Sequence, residues 1–141
     1  MENALRFHFD VDGDNFTSAG AASVEVKKKL RQLGFPAEMI RRVSIAMYEG
    51  EINMVVHARG GEADVLIDKG CITIILTDHG PGIKDIELAM QEGYSTAPDN
   101  IRALGFGAGM GLPNMKRYTD SMQIESEVGK GTKVTMQVMV P

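Results

Sequence analysis

The stretch from Ala37 to Ala58 constrains this chain more than any other. Ile40, Val43, Met47, Ile52 and Val56 recur along it at helical spacing, with Pro36 just before it and the Gly60-Gly61 pair just after it. One long helix is expected there, closed by the two glycines. Two apolar runs follow at once, 63–68 and 71–77, and Lys69-Gly70 is the turn that joins them as strands. Upstream, Leu5-Arg6-Phe7-His8-Phe9-Asp10-Val11 alternates like a strand with one buried face, and His8 falls on its polar side. A first helix is expected from Asn15 or Thr17 to Leu33, ended by Gly34-Phe35-Pro36. Downstream the pattern predicts a short helix at 84–91 and a lid over 92–109, rich in Gly, Ser, Thr, Pro and Asn. A helix starting near Gly111-Leu112-Pro113 follows, then strands at 121–127 and 132–140 joined at Val128-Gly129-Lys130-Gly131. This order of elements is that of an α+β fold, a two-layer sandwich with helices stacked on one face of a mainly antiparallel sheet.

At 141 residues the chain fits one domain, 1–141. A domain of this size buries roughly two thirds of its unfolded surface, which is enough for a core without disulfides or structural metal. Cys71 is the sole cysteine, so no intrachain disulfide framework exists, which suits a reducing compartment. Its setting predicts a buried strand residue and not a nucleophile. A formal charge of -4 argues against a nucleic-acid binder. Lys27-Lys28-Lys29 with Arg31 is the one basic cluster on a predicted helix, and it reads as a solvated face. No apolar run approaches the roughly 18 residues of a membrane span, and no N-terminal segment has the makeup of a signal peptide. A soluble cytoplasmic protein with no membrane partner is expected. The three histidines show no metal-ligand spacing.

Three segments can carry chemistry. Glu49 and Asn53, four apart on the predicted helix, project from one face. Asn53 can give a neutral hard oxygen to Mg²⁺, and Glu49 can take a proton from an attacking hydroxyl or water; a solvated polar helix edge is the alternative. Asp78 ends an apolar strand and is followed by His79-Gly80-Pro81-Gly82. A carboxylate held beside the core must find donors, and the exocyclic amine of adenine is one that Gly80 and Gly82 would let approach; a plain tight turn fits as well. Gly105, Gly107, Gly109 and Gly111 alternate before a helix start, offering backbone N–H groups to an anion, unless the loop is simply disordered. Neither a phosphate loop ending in Gly-Lys-Ser/Thr nor a strand-linked Gly-x-Gly-x-x-Gly fingerprint is present.

Taken in order, the Glu49/Asn53 helix, Asp78-x-Gly80-x-Gly82, Gly107-Ala108-Gly109-Met110-Gly111 and Gly129-Lys130-Gly131-Thr132 resemble the successive nucleotide boxes of one superfamily. It is the ATPase superfamily shared by gyrase, Hsp90, histidine kinases and MutL, with the Bergerat ATP-binding fold. Within it the chain is similar to bacterial anti-sigma-factor serine/threonine kinases and to the related switch-protein kinases. Glu92-Gly93-Tyr94-Ser95-Thr96 and Gly111-Leu112-Pro113-x-Met115-Lys116-Arg117 resemble the switch branch especially.

The resemblance implies that Asn53 coordinates Mg²⁺, Glu49 is the catalytic base and Asp78 contacts the adenine amine. It further implies that Gly80 and Gly82 shape the adenine pocket and Thr132 helps hold adenine through water. Gly107, Gly109 and Gly111 would bring the lid backbone to the phosphates of ATP, with Arg102 as the lid cation. Ile45, Ile52, Val56 and Ile83 are candidate pocket walls or ordinary core. Met54 departs from the alanine that commonly follows the motif asparagine. The implied function is ATP-dependent phosphorylation of a STAS-domain anti-anti-sigma or switch protein, with a sigma factor as a further partner and a homodimer formed through the first strand and helix. The alternative is a nucleotide-gated anti-sigma binding protein without phosphotransfer. A detached histidine-kinase domain fits poorly, because His8 lies in a predicted strand.

Overall fold

The computed structural model describes residues 5–12, 20–58, 60–68, 70–83, 85–90 and 111–140. They form β1 (Leu5–Asp12), α1 (Ala21–Gln32), α2 (Ala37–Ala58), β2 (Gly60–Ile67), β3 (Cys71–Asp78), α3 (Ile86–Ala89), α4 (Gly111–Arg117), β4 (Ser121–Glu127) and β5 (Gly131–Met139). The five strands make one sheet in the order β1-β2-β3-β5-β4, and every neighbouring pair is antiparallel. Alternation sends Ala63, Val65 and Ile67, then Ile72, Ile74 and Leu76, then Val134, Met136 and Val138 to one buried face. Val26 and Leu30 of α1, Val43, Met47 and Met54 of α2, and Leu112 and Met115 of α4 complete that core. Each fully buried side chain of this size contributes about 1.5–3 kcal/mol, so the helical layer is fixed to the sheet along its length. The opposite face carries half-buried or exposed residues such as Thr73, Lys133 and Gln137. The two-layer α+β architecture expected from the pattern is the one observed.

Local chemistry sets the helix ends. Gly34 takes φ 82, a left-handed conformation that suits a residue without Cβ. Phe35 N–H then reaches Leu30 O at 3.1 Å and Gly34 N–H reaches Arg31 O at 3.1 Å, which closes α1. At its other end α1 has no side-chain cap of its own. Glu51 of α2 supplies one instead, accepting from Gly20 N–H at 3.0 Å, Ala22 N–H at 3.2 Å and Ser23 N–H at 2.7 Å. Glu51 is only 2% exposed. Burial pushes its carboxyl up while these backbone donors pull it down.

Several boundaries differ from expectation. Gly60 and Gly61 open β2, opposite Asp12 and Val11 of β1, instead of merely closing the helix; glycines show no alternation, so periodicity is silent about them. The short helix covers Ile86–Ala89 and not 84–91, with Asp85 accepting from Leu88 N–H at 3.1 Å as its cap. The described part of α1 begins at Ala21, and residues 13–19 lie outside the described residues. Cys71 is half-buried, because the register of β3 turns Ile72 inward and Cys71 outward. His8 is exposed on the open face, its Nδ1 2.8 Å from Asp64 Oδ1, and that hydrogen bond raises its pKa. Strand pairing also gathers His8, Asp10 and Glu62, whose ligand atoms lie within 4.8 Å of one another; spacing along the chain did not show this exposed group. No helix among the described residues is long and apolar enough to cross a membrane.

Candidate functional site

Helical geometry puts Glu49 and Asn53 on one side of α2. The first residue of α4 lies against them: a Cβ on Gly111 would sit 3.7 Å from Asn53 Oδ1 and 3.9 Å from Glu49 Oε2. Asn114, one turn along α4, points its amide Nδ2 at Glu49 Oε1 across 3.5 Å. Glu49 is half-buried, and burial pushes its carboxyl up against the opposing effect of the Asn114 hydrogen bond. A carboxylate with a raised pKa is a stronger base, which suits proton abstraction near neutral pH. At Gly50 the helix meets the sheet directly, since a Cβ there would run into Leu76 of β3.

The second part of the site is built where β3 ends. Asp78 pairs with Thr132 across β3 and β5. Its Oδ1 accepts from Gly80 N–H at 3.0 Å and from Thr132 N–H at 3.1 Å. Both bonds reach the same oxygen, and Oδ2 has no hydrogen-bond partner among the described residues. Thr132 Oγ1 lies 2.8 Å from Ser126 Oγ, and that hydroxyl also takes Ile83 N–H at 2.7 Å. Gly82 adopts φ 79 and leaves no room for a Cβ beside Glu127 O. Gly129 N–H closes the contact onto Pro81 O at 2.9 Å. The Asp78–Gly82 turn is thus locked to the turn between β4 and β5.

The two parts meet at the end of α2. A Cβ on Gly80 would lie 2.5 Å from Ala58 Cβ, so the turn packs on the last residue of the helix. His57, half-buried beside Ala58, feels the Asp78 carboxylate; burial lowers its pKa and Asp78 acts in the other direction. Glu49, Asn53 and Gly111 therefore come together, as do Asp78, Gly80 and Thr132, with Gly82 bracing their turn. Arg102, Gly107 and Gly109 lie outside the described residues. Ile52, Val56 and Ile83 are half-buried, while Ile45 lines a groove between α1 and α2. Sequence reasoning missed Asn114, Ser126 and His57. His57 was findable, since it continues the Glu49-Asn53 series by four; the other two come from elements distant in the chain.

Residues 15–138 match the family model described as histidine kinase-like ATPase domain. The chain belongs to that family. The anti-sigma F factor of Clostridium acetobutylicum is 32% identical over 142 residues, covering 97% of this chain and 94% of that protein. The anti-sigma F factor of Clostridium novyi is 33% identical over 122 residues, 82% of each chain. These likenesses place the chain in the anti-sigma-factor branch of the histidine kinase-like ATPases. Among solved structures, the RsbU and RsbW domains of Rv1364c from Mycobacterium tuberculosis align with TM-score 0.64 at 15% identity, over 95% of this chain and 32% of that one. That likeness is one of fold, and the chain spans about a third of that solved protein.

The histidine kinase-like ATPase fold implies a magnesium nucleotide, and the donor chemistry fits one. The side-chain atoms nearest Gly111 are hard oxygens, from the Asn53 amide and the Glu49 carboxyl. Oxygen donors few in number are what Mg²⁺ takes when substrate phosphates and water complete its shell.

Proposed function

We propose that the protein is an ATP-dependent protein serine/threonine kinase and anti-sigma regulatory factor that acts on a STAS-domain, anti-anti-sigma partner. The observation that carries this reading is Glu49: a half-buried carboxyl with a raised pKa, beside Asn53 and Gly111. The relatives named anti-sigma F factor support the regulatory part. In this reading residues 1–141 act as one domain in the cytoplasm, as a homodimer, with a sigma factor as the second partner.

Asn53 would hold Mg²⁺, which supplies neutralisation of phosphate charge when bound. Asp78 Oδ2 accepts the adenine amine while Oδ1 stays committed to Gly80 and Thr132. Thr132, braced by Ser126, borders the base, and Gly80 and Gly82 hold the turn close to it. Gly111 lies beside Asn53 and Glu49, and in this reading Gly107, Gly109 and Arg102 would serve the phosphates of ATP. Glu49 takes the proton of a serine or threonine hydroxyl as its oxygen attacks the γ-phosphorus, and ADP leaves. Phosphoryl transfer asks little of a protein beyond such alignment and charge. The product carries nearly two negative charges, enough to repel or reorder an interface.

The test combines Mg²⁺, γ-labelled ATP and the STAS-domain proteins encoded in the same genome, with Glu49→Gln as control. Label on serine or threonine, lost with Glu49→Gln while ATP still binds, is the expected result. Tight ATP binding without transfer, together with sigma-factor capture, would instead identify a nucleotide-gated binding protein. An Asn53→Ala variant is expected to lose the Mg²⁺-dependent part of ATP affinity.

A further inference from the structure

A groove of about 470 Å³ runs between α1 and α2, lined along α2 by residues that precede Glu49. Its floor is apolar, made by Phe35, Ile40 and Ile45, and its rim is cationic, made by Lys27 and Arg31 of α1 and Arg41 of α2. Residues 21–45 hold six cations and two carboxylates, in a chain whose formal charge is -4. Both carboxylates are already engaged, Glu25 with Lys28 at 3.6 Å and Glu38 with Arg41 at 3.0 Å. Lys27 and Arg31 have no ion-pair partner among the described residues. They lie four apart on α1, so their charges align along one edge of the groove. Arg41 is held on the other edge by Glu38 and by the Tyr118 ring, 5.4 Å from its guanidinium carbon.

We propose that this groove is a docking site for an acidic amphipathic helix of a partner protein. The floor receives the apolar stripe of such a helix, and the two cationic edges face the carboxylates that flank it. Nucleic acid is the poorer occupant: the one hydroxyl in the groove, Ser44, already donates to Ile40 O at 2.7 Å, and the chain as a whole repels a polyanion. A protein partner is part of the function proposed above, and the groove says where it seats; binding at the groove is measurable whether or not phosphotransfer occurs.

The probe is a fluorescein-labelled synthetic helix of about 18 residues, with a leucine stripe flanked by glutamates, titrated by anisotropy against the full chain. A peptide with lysines in place of the glutamates and a short DNA duplex serve as competitors. The glutamate peptide is expected to bind, to weaken about tenfold in Lys27→Glu/Arg31→Glu and as salt rises, and to be unaffected by Glu49→Gln. Ala37→Trp fills the groove from an exposed position without altering charge and should weaken binding as well. Equal binding of the lysine peptide, or binding undiminished in both groove variants, overturns the proposal; displacement by DNA at lower concentration than by peptide overturns it in favour of nucleic acid. Labelling of a STAS-domain protein that persists unchanged in the groove variants would leave the kinase reading standing and remove the groove from partner binding.

Discussion

Replacing Asp78 by asparagine separates what this residue does for the fold from what it does for a ligand. Oδ1 accepts two backbone N–H groups, from Gly80 at 3.0 Å and Thr132 at 3.1 Å. An asparagine carbonyl can keep both, so only the charge assistance is lost, at a cost of about 1–2 kcal/mol of stability. The other oxygen becomes an NH₂ group. Against the adenine amine that is donor facing donor, and losing a hydrogen bond to a charged acceptor while adding that conflict amounts to about 3–4 kcal/mol, or roughly 100- to 1000-fold in Kd. A base with a carbonyl at that position, as in inosine triphosphate, meets the new donor favourably, so the ATP/ITP preference should fall steeply or invert. Asp78→Ala would leave both backbone donors without their acceptor and cost about 2–5 kcal/mol of stability besides. Calorimetric titration with ATP and ITP at fixed Mg²⁺, alongside urea unfolding, reads both effects. An ATP Kd for Asp78→Asn within about threefold of the unsubstituted protein, with folding intact, would refute the adenine contact.

Glu49 must be deprotonated to act as a base, so kcat should rise with pH through its pKa, which burial places above the ordinary glutamate value. The Asn114 hydrogen bond opposes that shift; Asn114→Ala should therefore move the acid limb of the kcat profile to higher pH, and a limb that stays put or moves down counts against the pairing. Glu51→Ala strips the acceptor from three backbone N–H groups in a buried place and should cost about 3–5 kcal/mol by urea denaturation; a loss below about 1 kcal/mol would mean that the α1 terminus finds another cap. Gly50→Ala drives a methyl into Leu76, and overpacking of this kind costs about 1–3 kcal/mol. Its thermal midpoint should fall, and an unchanged midpoint would show that the Leu76 side chain turns aside without penalty.

Long elements with a strong period were legible in the sequence. The helix Ala37–Ala58 has the bounds its spacing and flanking residues implied, and the apolar run 71–77 is a strand as expected, although only its burial alternates, with Ile75 on the outer face. Placing Glu49 with Asn53 needed only the pitch of a helix. The neighbours of these residues were harder to see. Asn114 reaches Glu49 across 65 positions, and Thr132 reaches Asp78 across 54; such pairs are set by how α4 packs and how β3 and β5 register, which no local window contains. The role of Glu51 was hidden for a similar reason, because a carboxylate in mid-helix reads as solvated until the uncapped start of α1 is laid beside it. Gly60-Gly61 failed in the opposite way, having no side chains to reveal that strand pairing had already begun.

Gly50 separates Glu49 from Glu51 on α2 and faces Leu76, two positions before Asp78 on β3. The gap between the helix and the strand is thus gauged by a missing atom, and the two ends of the site share that gauge. Changes to what the site recognises can be made at its rims, at Asp78, Thr132 or Asn114, without altering the spacing. Enlarging the site is a different matter. Easing α2 away from the sheet would take Leu76 out of its packing, since it is buried directly beneath Gly50. Position 50 thus fixes how closely α2 lies on β3, while the polar residues at either end remain open to substitution.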